Sequence, residues 1–459
     1  MRNHCLRYIV ALFAAFFMLS CGVTNSVRQR KDVSPILFGL KEARTGVERY
    51  DVLLRTHQAA VAKGVNVDYS GIKRIDIEIP RGAKAIPLTQ MNDFKGCTIY
   101  VRNTCKNGWL FTATAKSEEI EVSAKAIDGG DFRSYPQLRR GKYLLIIEDK
   151  NPWVENRRGY SYGHQRQDIL LIEKGHAKNT VIMPYNNADS NPKCKYIVAN
   201  SHSIEVKNLT IERDVASTAI TMICGISGYD DVCFTNITVN TPESELNGDR
   251  VLRITNSTNV TLTDVRINGT YSQKGKYGYG ISLDNVWNFK AKRLYGNGNW
   301  GLFGNNNVNT ALIEDSEINR FDIHCYGRDV TFKSVKFFDL YNQFSSVFGR
   351  VTFEQCEFRN FTPVLIETSY NAYTEFEVDF TDCMFYITPA KNYLVNTGSL
   401  TGEENARREL MEKKLPRVNV ENMKVFSLET GEEVPQVDVF LKKGKFIQER
   451  QIQNVIKLK

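Results

Sequence analysis

The chain has 459 residues, of which 42% are hydrophobic and 24% are charged, and its formal net charge at pH 7 is +8. This composition provides a sizeable apolar core and excludes an intrinsically disordered chain. Lys and Arg are scattered and form no block of five or more like charges, so no nucleic-acid partner is predicted, whereas the mild positive charge permits acidic partners.

The first twenty residues predict a secretory signal, because a short basic start precedes an apolar run over 8–19 that is too short to span a bilayer. The stretch Met18–Cys21 resembles the lipobox of bacterial lipoproteins, with Met where Leu is usual. This resemblance implies that residues 1–20 are removed and that Cys21 becomes a lipidated N-terminus. The protein would then be anchored in the bacterial cell envelope, on the outer-membrane or periplasmic side. Plain secretion with an unmodified Cys21 is the alternative.

Residues 21–64 are predicted to form a tether and a capping helix. Apolar residues recur with helical spacing from 47 to 63, and Gly64 ends the pattern. Such a helix can cover the end of a stack of strands, which would otherwise expose unpaired backbone groups. The alternating stretch Ile75–Ile79 predicts a strand, and the less regular residues 81–200 are interpreted as early coils with large insertions.

Eight segments between 204 and 385 repeat one pattern, with apolar residues at offsets 0, 2, 5 and 7 except at Gly296 and Ser316. The alternation predicts strands, and the break in phase, where Asn, Asp or Ser is common, predicts a tight bend. The starts lie 19 to 29 residues apart, a period that suits a coil of three strands. The segments start at Ile204, Val232, Val260, Phe289, Ala311, Val330, Val351 and Val378.

Stacked coils about 4.8 Å apart bury a continuous core, which predicts an all-β chain with a parallel β-helix over 65–395. Residues 396–459, a polar helical stretch followed by short strands, are predicted to cap the far end. The coil pattern and the preceding helix resemble the pectate-lyase-like superfamily of right-handed parallel β-helix proteins. That resemblance implies a right-handed coil, a sugar-binding groove on one outer face, and the activity of a polysaccharide lyase, glycoside hydrolase, uronate epimerase or phage depolymerase. The fold does not choose among these activities.

A further strand is predicted before each later segment, at 251–254, 280–284, 301–303, 322–326, 346–348 and 364–367. Alternation along these strands points apolar side chains such as Ile254 and Leu283 inward. The side chains predicted on the shared outer face are then Arg253, Ser282, Asp284, Asp322, His324 and Tyr326.

Asp322 and His324 project from the same side of one predicted strand, so the carboxylate can orient the imidazole and raise its basicity. Removal of the proton beside a uronate carboxyl needs such a base and a cation for the developing charge, for which Arg253 and Arg328 are candidates. The Asp-x-His pair resembles the Asp-Pro-His element of mannuronan C5-epimerases, which have a tyrosine where this chain has Asn319. The resemblance implies lyase-type or epimerase-type proton abstraction on an acidic polysaccharide.

A glycoside hydrolase is the first alternative, because it needs two carboxylates roughly 5–9.5 Å apart. Asp284, Asp322 and Glu367 are the candidates for such a pair. No cofactor is predicted, although the same acids are of the type that binds Ca²⁺, and no calcium-loop spacing supports that ion.

The predicted partner is a polysaccharide or oligosaccharide, with the membrane as a second partner through the lipid anchor. Aromatic rings offer flat apolar faces to sugar C–H groups and polar tips to hydroxyls. Trp300, Tyr326 and Tyr279, together with Arg320, are therefore candidates for substrate binding. A non-catalytic glycan-binding or surface-scaffold protein that uses the same face is the second alternative.

Overall fold

The structure, a computed structural model, describes residues 31–459 except 104–107, 155–163, 183, 187–190, 199–202, 215–220, 242–250, 270–278, 297–300, 339–340, 345–346, 360–361, 367–374, 390–391, 397–415, 435–438, 443–444, 451–455 and 459. The predicted signal, Cys21, Trp300, Glu367 and the polar helical stretch after 396 lie outside the described residues.

The described part of the chain contains one 3₁₀ turn (Pro35–Phe38), two helices (Gly46–Lys63 and Ala124–Gly129) and 33 strands. The first strands are β1 (Arg74–Ile79), β2 (Ile86–Pro87), β3 (Met91–Asp93), β4 (Thr98–Asn103), β5 (Gly108–Thr114), β6 (Glu118–Ile120), β7 (Lys142–Val154), β8 (His164–Glu173), β9 (His176–Ala177), β10 (Pro192–Val198), β11 (Ile204–Arg213), β12 (Thr221–Ser227) and β13 (Asp230–Asn240). The middle strands are β14 (Leu252–Asn268), β15 (Tyr279–Lys292), β16 (Tyr295–Gly296), β17 (Gly301–Glu314), β18 (Glu317–Ile318), β19 (Phe321–Cys325), β20 (Gly327–Lys333), β21 (Lys336–Phe337), β22 (Tyr341–Phe344) and β23 (Val347–Glu354). The last strands are β24 (Glu357–Phe358), β25 (Thr362–Ile366), β26 (Glu375–Thr381), β27 (Met384–Ile387), β28 (Tyr393–Asn396), β29 (Arg417–Glu421), β30 (Lys424–Ser427), β31 (Val439–Lys442), β32 (Lys445–Arg450) and β33 (Ile456–Leu458).

The strands outside 118–198 pair in parallel, each with the equivalent strand one coil away, and form a right-handed parallel β-helix, as predicted. Each coil contributes in turn to three sheets, here named A, B and C. In one coil of β14, for example, residues 252–255 belong to sheet A, 260–263 to sheet B and 265–267 to sheet C. Strands β19, β22 and β25 continue sheet A along the axis.

The register of sheet B confirms the repeat. The eight predicted starts pair one after another, from Ile204 with Val232 through to Val351 with Val378. The residue at the predicted bend between sheets B and C has positive φ in every coil, as in Asp264 (φ 55°) and Asp315 (φ 47°). Asn and Asp tolerate this left-handed backbone, which explains their frequency at the break in phase.

Equivalent side chains stack inside the helix because each is level with its counterpart one coil away. Phe332, Phe353 and Phe380 are successive members of one stack, with ring centroids 5.0 Å apart and planes within 11° of parallel. Such stacking buries apolar area on both faces of every internal ring. The core is therefore continuous along the axis.

The capping helix begins and ends where the sequence predicts. Thr45 and Glu48 form a reciprocal capping box, and Gly64 ends the helix in the left-handed conformation (φ 62°). The helix is fastened to the first coil by the buried His57. Its Nδ1 lies 2.9 Å from the Pro87 carbonyl, and its Nε2 lies 2.8 Å from the Tyr69 hydroxyl.

The interpretation of residues 81–200 as coils holds for β2 to β5 but is wrong for 118–198. That segment forms a five-stranded antiparallel sheet, here named the inserted sheet, which interrupts the coil between β5 and β11. One face has its own core, and the other packs Leu144 and Ile169 against Trp287 of β15. The inserted sheet therefore lies along the edge of sheet A.

Strands β29 to β33, in the segment predicted to be a cap, continue the parallel pairing of the coils. In the part of the chain that the structure describes, no helix combines the length and apolar character needed to cross a membrane.

Candidate functional site

The outer face of sheet A carries side chains that are level with one another on successive strands. Arg253 pairs with Ser282, Gly304 with Asp322, and Asp322 with Gln343. Ser282 and Gly304 are also level, because β15 and β17 pair in the same register on both sides of these two residues. These five residues are named the central row. At about 4.8 Å per strand, the row extends about 19 Å along the helix axis.

Asp322 is completely buried, although its strand position faces outward as predicted. Its Oδ1 accepts hydrogen bonds from Arg320 Nε (2.5 Å) and from the backbone amide of Gln343 (3.3 Å). Burial raises the pKa of Asp322 to about 6, while Arg320, Tyr279 and the Gln343 amide oppose the rise. A carboxyl group that changes its charge near pH 6 inside a protein is typical of functional sites.

Arg320 does not have the exposure expected of a residue that binds substrate. Its side chain is fully buried, packs against Gly301, and lies under the ring of Tyr341 with Cζ 4.3 Å from the ring centroid. Its Nη2 donates a hydrogen bond to Gln343 Oε1 at 2.9 Å. Arg320 therefore holds Asp322 through a buried ion pair. The prediction that Arg320 contacts substrate is wrong.

Tyr279 joins Asp322 to His324. The hydroxyl of Tyr279 donates to Asp322 Oδ2 at 3.0 Å and lies 2.9 Å from His324 Nε2. The Tyr279 ring lies flat over Gly304, where an added Cβ would come within 2.5 Å of the ring. A glycine at this position of the central row is what allows the ring to reach across the neighbouring strand.

His324 lies on the outer face, as alternation predicts, at an irregularity in its strand. Asn305 pairs with Ile323 but the next residue, Asn306, pairs with Cys325, so His324 is an extra residue in β19. Such a bulge re-aims a side chain and is common next to active sites. The His324 side chain is 18% exposed, and its Nε2 lies 4.0 Å from Asp322 Oδ2.

Arg253 and Asp284 form an ion pair on the same outer face, which confirms their predicted placement. Arg253 Nε lies 3.2 Å from Asp284 Oδ2, with the two side chains 40% and 18% exposed. The other carboxylate oxygen of Asp284 accepts a hydrogen bond from Asn306 Nδ2 at 2.9 Å. Both oxygens of Asp284 are therefore engaged by neighbours.

Two predicted site residues lie away from this face. Tyr326 has positive φ (62°) and is 2% exposed, so its predicted outward position is wrong. It occupies the corner where Asn285 and Asn307 stand in the two preceding coils. Arg328 donates from Nη1 to the Thr180 carbonyl (2.8 Å) and thereby ties the β-helix to the inserted sheet.

Sequence reasoning missed Trp109 and Gln343. Trp109 lies over Gly225, where an added Cβ would come within 2.9 Å of the indole, and Gly225 is level with Arg253. Trp109 thus provides an aromatic surface at one end of the central row. An isolated glycine inside a strand signals close approach of another group, and both rings on this face lie over such a glycine.

The face therefore combines an imidazole, a phenol and a buried carboxylate in one hydrogen-bonded chain. Tyr and His can each give or accept a proton, and the carboxylate can stabilise an imidazolium beside it. Asp, Glu, His and Cys side chains do not gather in any group of three suited to a metal ion within the described residues.

No model of a known protein family matches the chain, and no curated protein matches it. Among solved structures, the tailspike protein gp49 from Pseudomonas phage LKA1 is 12% identical with a TM-score of 0.49, over 93% of this chain and 81% of that chain. The Gp54 tailspike of Acinetobacter baumannii bacteriophage AP22, in complex with A. baumannii capsular saccharide, is 10% identical with a TM-score of 0.46, over 92% and 76%. The A-module of the Azotobacter vinelandii mannuronan C-5 epimerase AlgE4 is 9% identical with a TM-score of 0.32, over 93% and 100%. The assignment of the site rests on the residues of this chain.

Proposed function

We propose that this protein acts on an acidic polysaccharide by removing the proton next to a uronate carboxyl group, as a lyase or a C5-epimerase does. The observation that carries the proposal is the hydrogen-bonded chain His324–Tyr279–Asp322 on the outer face of sheet A. The tyrosine that mannuronan epimerases carry three residues before the Asp of their Asp-Pro-His element is absent from this chain, where Asn319 stands. Tyr279 supplies a phenol to the same acid and imidazole from a strand two coils away.

The geometry supports a closed cycle of proton transfer. His324 takes the proton from C5, and the electron pair moves toward the carboxyl group. In elimination, the C4–O4 bond breaks, its electron pair goes to O4, and Tyr279 gives its proton to O4. In epimerisation, solvent instead gives a proton to the opposite face of C5 and takes one from His324, because Tyr279 is hydrogen bonded to His324 and lies on the same face as that base. After elimination, the 2.9 Å hydrogen bond returns the proton from His324 to Tyr279 and restores both residues.

The role of Asp322 in this cycle is electrostatic. An ionised Asp322 stabilises the imidazolium that forms on His324, since the two side chains lie 4.0 Å apart and Asp322 is buried. Its hydrogen bond from the Tyr279 hydroxyl also fixes the orientation of the phenol. Because Asp322 contacts the two reacting groups and not the solvent, we assign it as a positioning residue.

A hydrolase with paired carboxylates receives less support. Asp322 is buried against Arg320, and both oxygens of Asp284 are bound by neighbours. Neither carboxylate is arranged to attack a sugar or to activate a water molecule. Proton abstraction by His324 uses groups that are partly exposed.

The test is incubation of the full chain with polygalacturonate, polymannuronate, polyguluronate and glucuronate-containing polymers. Elimination yields unsaturated, ultraviolet-absorbing ends, whereas epimerisation changes the sugar configuration without shortening the chain. His324→Ala should abolish either reaction and leave polymer binding intact. New reducing ends without unsaturation would contradict the proposal, and so would full activity of His324→Ala.

The cellular placement of this activity is a separate proposal, which the sequence supports. The protein is a lipoprotein of the bacterial cell envelope, acylated at Cys21 after removal of residues 1–20. Metabolic labelling with a clickable fatty acid should mark the wild type and not Cys21→Ala. Equal labelling of the two proteins, or release of the wild type into the medium, would contradict it.

A further inference from the structure

Ser282 contributes a buried hydroxyl to the central row, between Arg253 and the Tyr279–His324 pair. Its side chain has no solvent exposure, and its Oγ has no hydrogen-bond partner among the described residues. A buried hydroxyl without a partner destabilises a fold, so its presence calls for an explanation. Alternation along β15 points Ser282 outward, because Ile281 and Leu283 on either side are in the core.

The neighbours of Ser282 also retain unused capacity for hydrogen bonds. The amide oxygen of Asn306 is buried and has no partner in the described part of the chain, although its Nδ2 donates to Asp284. Within the described ranges, Arg253 makes a single hydrogen bond, from Nε to Asp284, and its side chain is 40% exposed. Its two terminal nitrogens are therefore available as a fork for a carboxylate.

We propose that Arg253, Ser282 and Asn306 form a subsite for a sugar farther along the same polymer than the reacting one, and that this second sugar carries a carboxylate. The Arg253 fork would bind the carboxylate, and Ser282 Oγ and Asn306 Oδ1 would hydrogen bond to sugar hydroxyls. The statement that another sugar of the same polymer reacts at His324 rests on the proposed function. The binding of an acidic sugar by Arg253, Ser282 and Asn306 does not.

Spacing along the row separates this subsite from the reacting groups. Ser282 is two strands and Arg253 three strands from Asp322, or about 10 and 14 Å at the usual strand spacing. The carboxylate bound by Arg253 is therefore not that of the sugar beside His324. The enzyme would therefore require a second acidic sugar on the same polymer as the reacting one, which makes the substrate a glycan with more than one uronate.

If Ser282 had only a structural role, Ser282→Ala would lower the melting temperature and leave ligand affinity unchanged. Ser316 is the matched example in this chain, since its hydroxyl accepts from the Leu294 amide (3.0 Å) and donates to the Glu314 carbonyl (2.5 Å). Ser316→Ala should lower the melting temperature and leave ligand affinity unchanged. Ser282→Ala should leave the melting temperature unchanged or raise it, because it removes a group without a partner, and should weaken ligand binding.

The experiment measures binding by calorimetry to the full chain carrying His324→Ala, so that no turnover occurs. The probes are tetrasaccharides of galacturonate, mannuronate and guluronate, each with its carboxyl-reduced counterpart. We expect one acidic tetrasaccharide to bind at least tenfold more tightly than its reduced form, and Arg253→Gln to abolish that preference. Ser282→Ala should weaken binding by about tenfold, the effect of one lost hydrogen bond to a charged or well-ordered group. Arg293→Gln is the control, since Arg293 also pairs with an aspartate, Asp264 at 2.6 Å, but belongs to the corner between sheets B and C.

The subsite is overturned if no acidic tetrasaccharide binds, if acidic and reduced forms bind equally, or if Ser282→Ala lowers the melting temperature without changing affinity. These outcomes are distinct from failure of the proposed function. Carboxylate-dependent binding without any turnover by the wild type would reject the reaction and keep the subsite. Turnover with no effect of Arg253→Gln or Ser282→Ala would keep the reaction and reject the subsite.

Discussion

The hydroxyl of Tyr279 lies 2.9 Å from Nε2 of His324, although the two residues are 45 positions apart in the chain. They belong to strands β15 and β19, which are separated by β17. The contact depends on Gly304, over which the tyrosine ring lies, and it is made where β19 has a bulge at His324. Coil stacking thus brings together the reactive groups of two turns of the helix, with the turn between them contributing Gly304.

Tyr279→Phe should lower kcat by about 10² to 10⁴, because it removes one of the two groups that move protons and keeps the ring that covers Gly304. Steady-state assays on the polymer identified in the panel check this. Tyr295→Phe is the control, since Tyr295 is on sheet C, where the Arg266 guanidinium lies 4.2 Å from its ring centroid. Comparable activity of Tyr279→Phe and the wild type would remove the phenol from the mechanism.

Gly304→Ala should reduce activity by displacing the Tyr279 ring, since the new methyl group would lie within 2.5 Å of it. The overpacking should also lower the free energy of unfolding by about 1–3 kcal/mol. Gly129→Ala, where the added methyl group meets no atom within 4 Å, should change neither property. Kinetics and denaturant unfolding of both variants provide the measurement, and an active Gly304→Ala enzyme would contradict the described packing.

Asp322 should carry a proton at pH 5 and lose it as the pH rises through about 6, because burial raises its pKa from the ordinary 3.8. In infrared difference spectra between the wild type and Asp322→Asn, the band of a protonated carboxyl should disappear over that range. The catalytic efficiency kcat/KM should fall with pH below about 6, since a neutral Asp322 cannot stabilise the imidazolium. A band that disappears near pH 4 would mean that the carboxyl is not desolvated.

The repeat was predictable because one inward-facing apolar residue stands at each equivalent position, from Ile204 to Val378. The register of sheet B therefore follows from the spacing alone. The inserted sheet was not predictable in this way, because a strand such as β7 (Lys142–Val154) shows the same β propensity whether it pairs in parallel or antiparallel. Its position beside sheet A depends on long-range contacts such as that of Trp287.

Within the site, the sequence identified Asp322, His324, Arg253 and Asp284 as outward residues but neither the ion pair of the last two nor the strand that carries Gln343. That strand, Tyr341–Phe344, has no clear apolar alternation because one of its two inward residues is Asn342, the other being Phe344. Asn342 is buried and satisfied by the Phe321 amide and the Pro363 carbonyl, both at 3.0 Å. Buried polar residues that bond to the next coil hide the periodicity on which strand prediction depends.

His57 should make the stability of the protein depend on pH. Burial lowers its pKa from 6.5 to about 4, so between these values the unfolded chain binds a proton that the folded chain does not. Neutral His57 therefore contributes roughly 3 kcal/mol to the free energy of unfolding above pH 6.5. This contribution is lost as the pH falls toward 4.

The measurement for His57 is denaturant unfolding at several pH values for the wild type and His57→Gln. The variant should lose less stability than the wild type between pH 6.5 and pH 4. Asp322 acts in the opposite sense in part of this range, because its raised pKa makes stability fall as the pH rises from 3.8 to about 6. It acts equally on both proteins, so the difference isolates His57. Parallel curves would show that His57 does not stay neutral in the cap.

The most direct test of the central claim is to run the reaction in D₂O and examine the sugar products by NMR and mass spectrometry. Proton abstraction predicts either deuterium at C5 of the product sugars or C4–C5 unsaturated ends, with both signals absent for His324→Ala. Products that keep their original hydrogen at C5 and carry new saturated reducing ends would contradict the account.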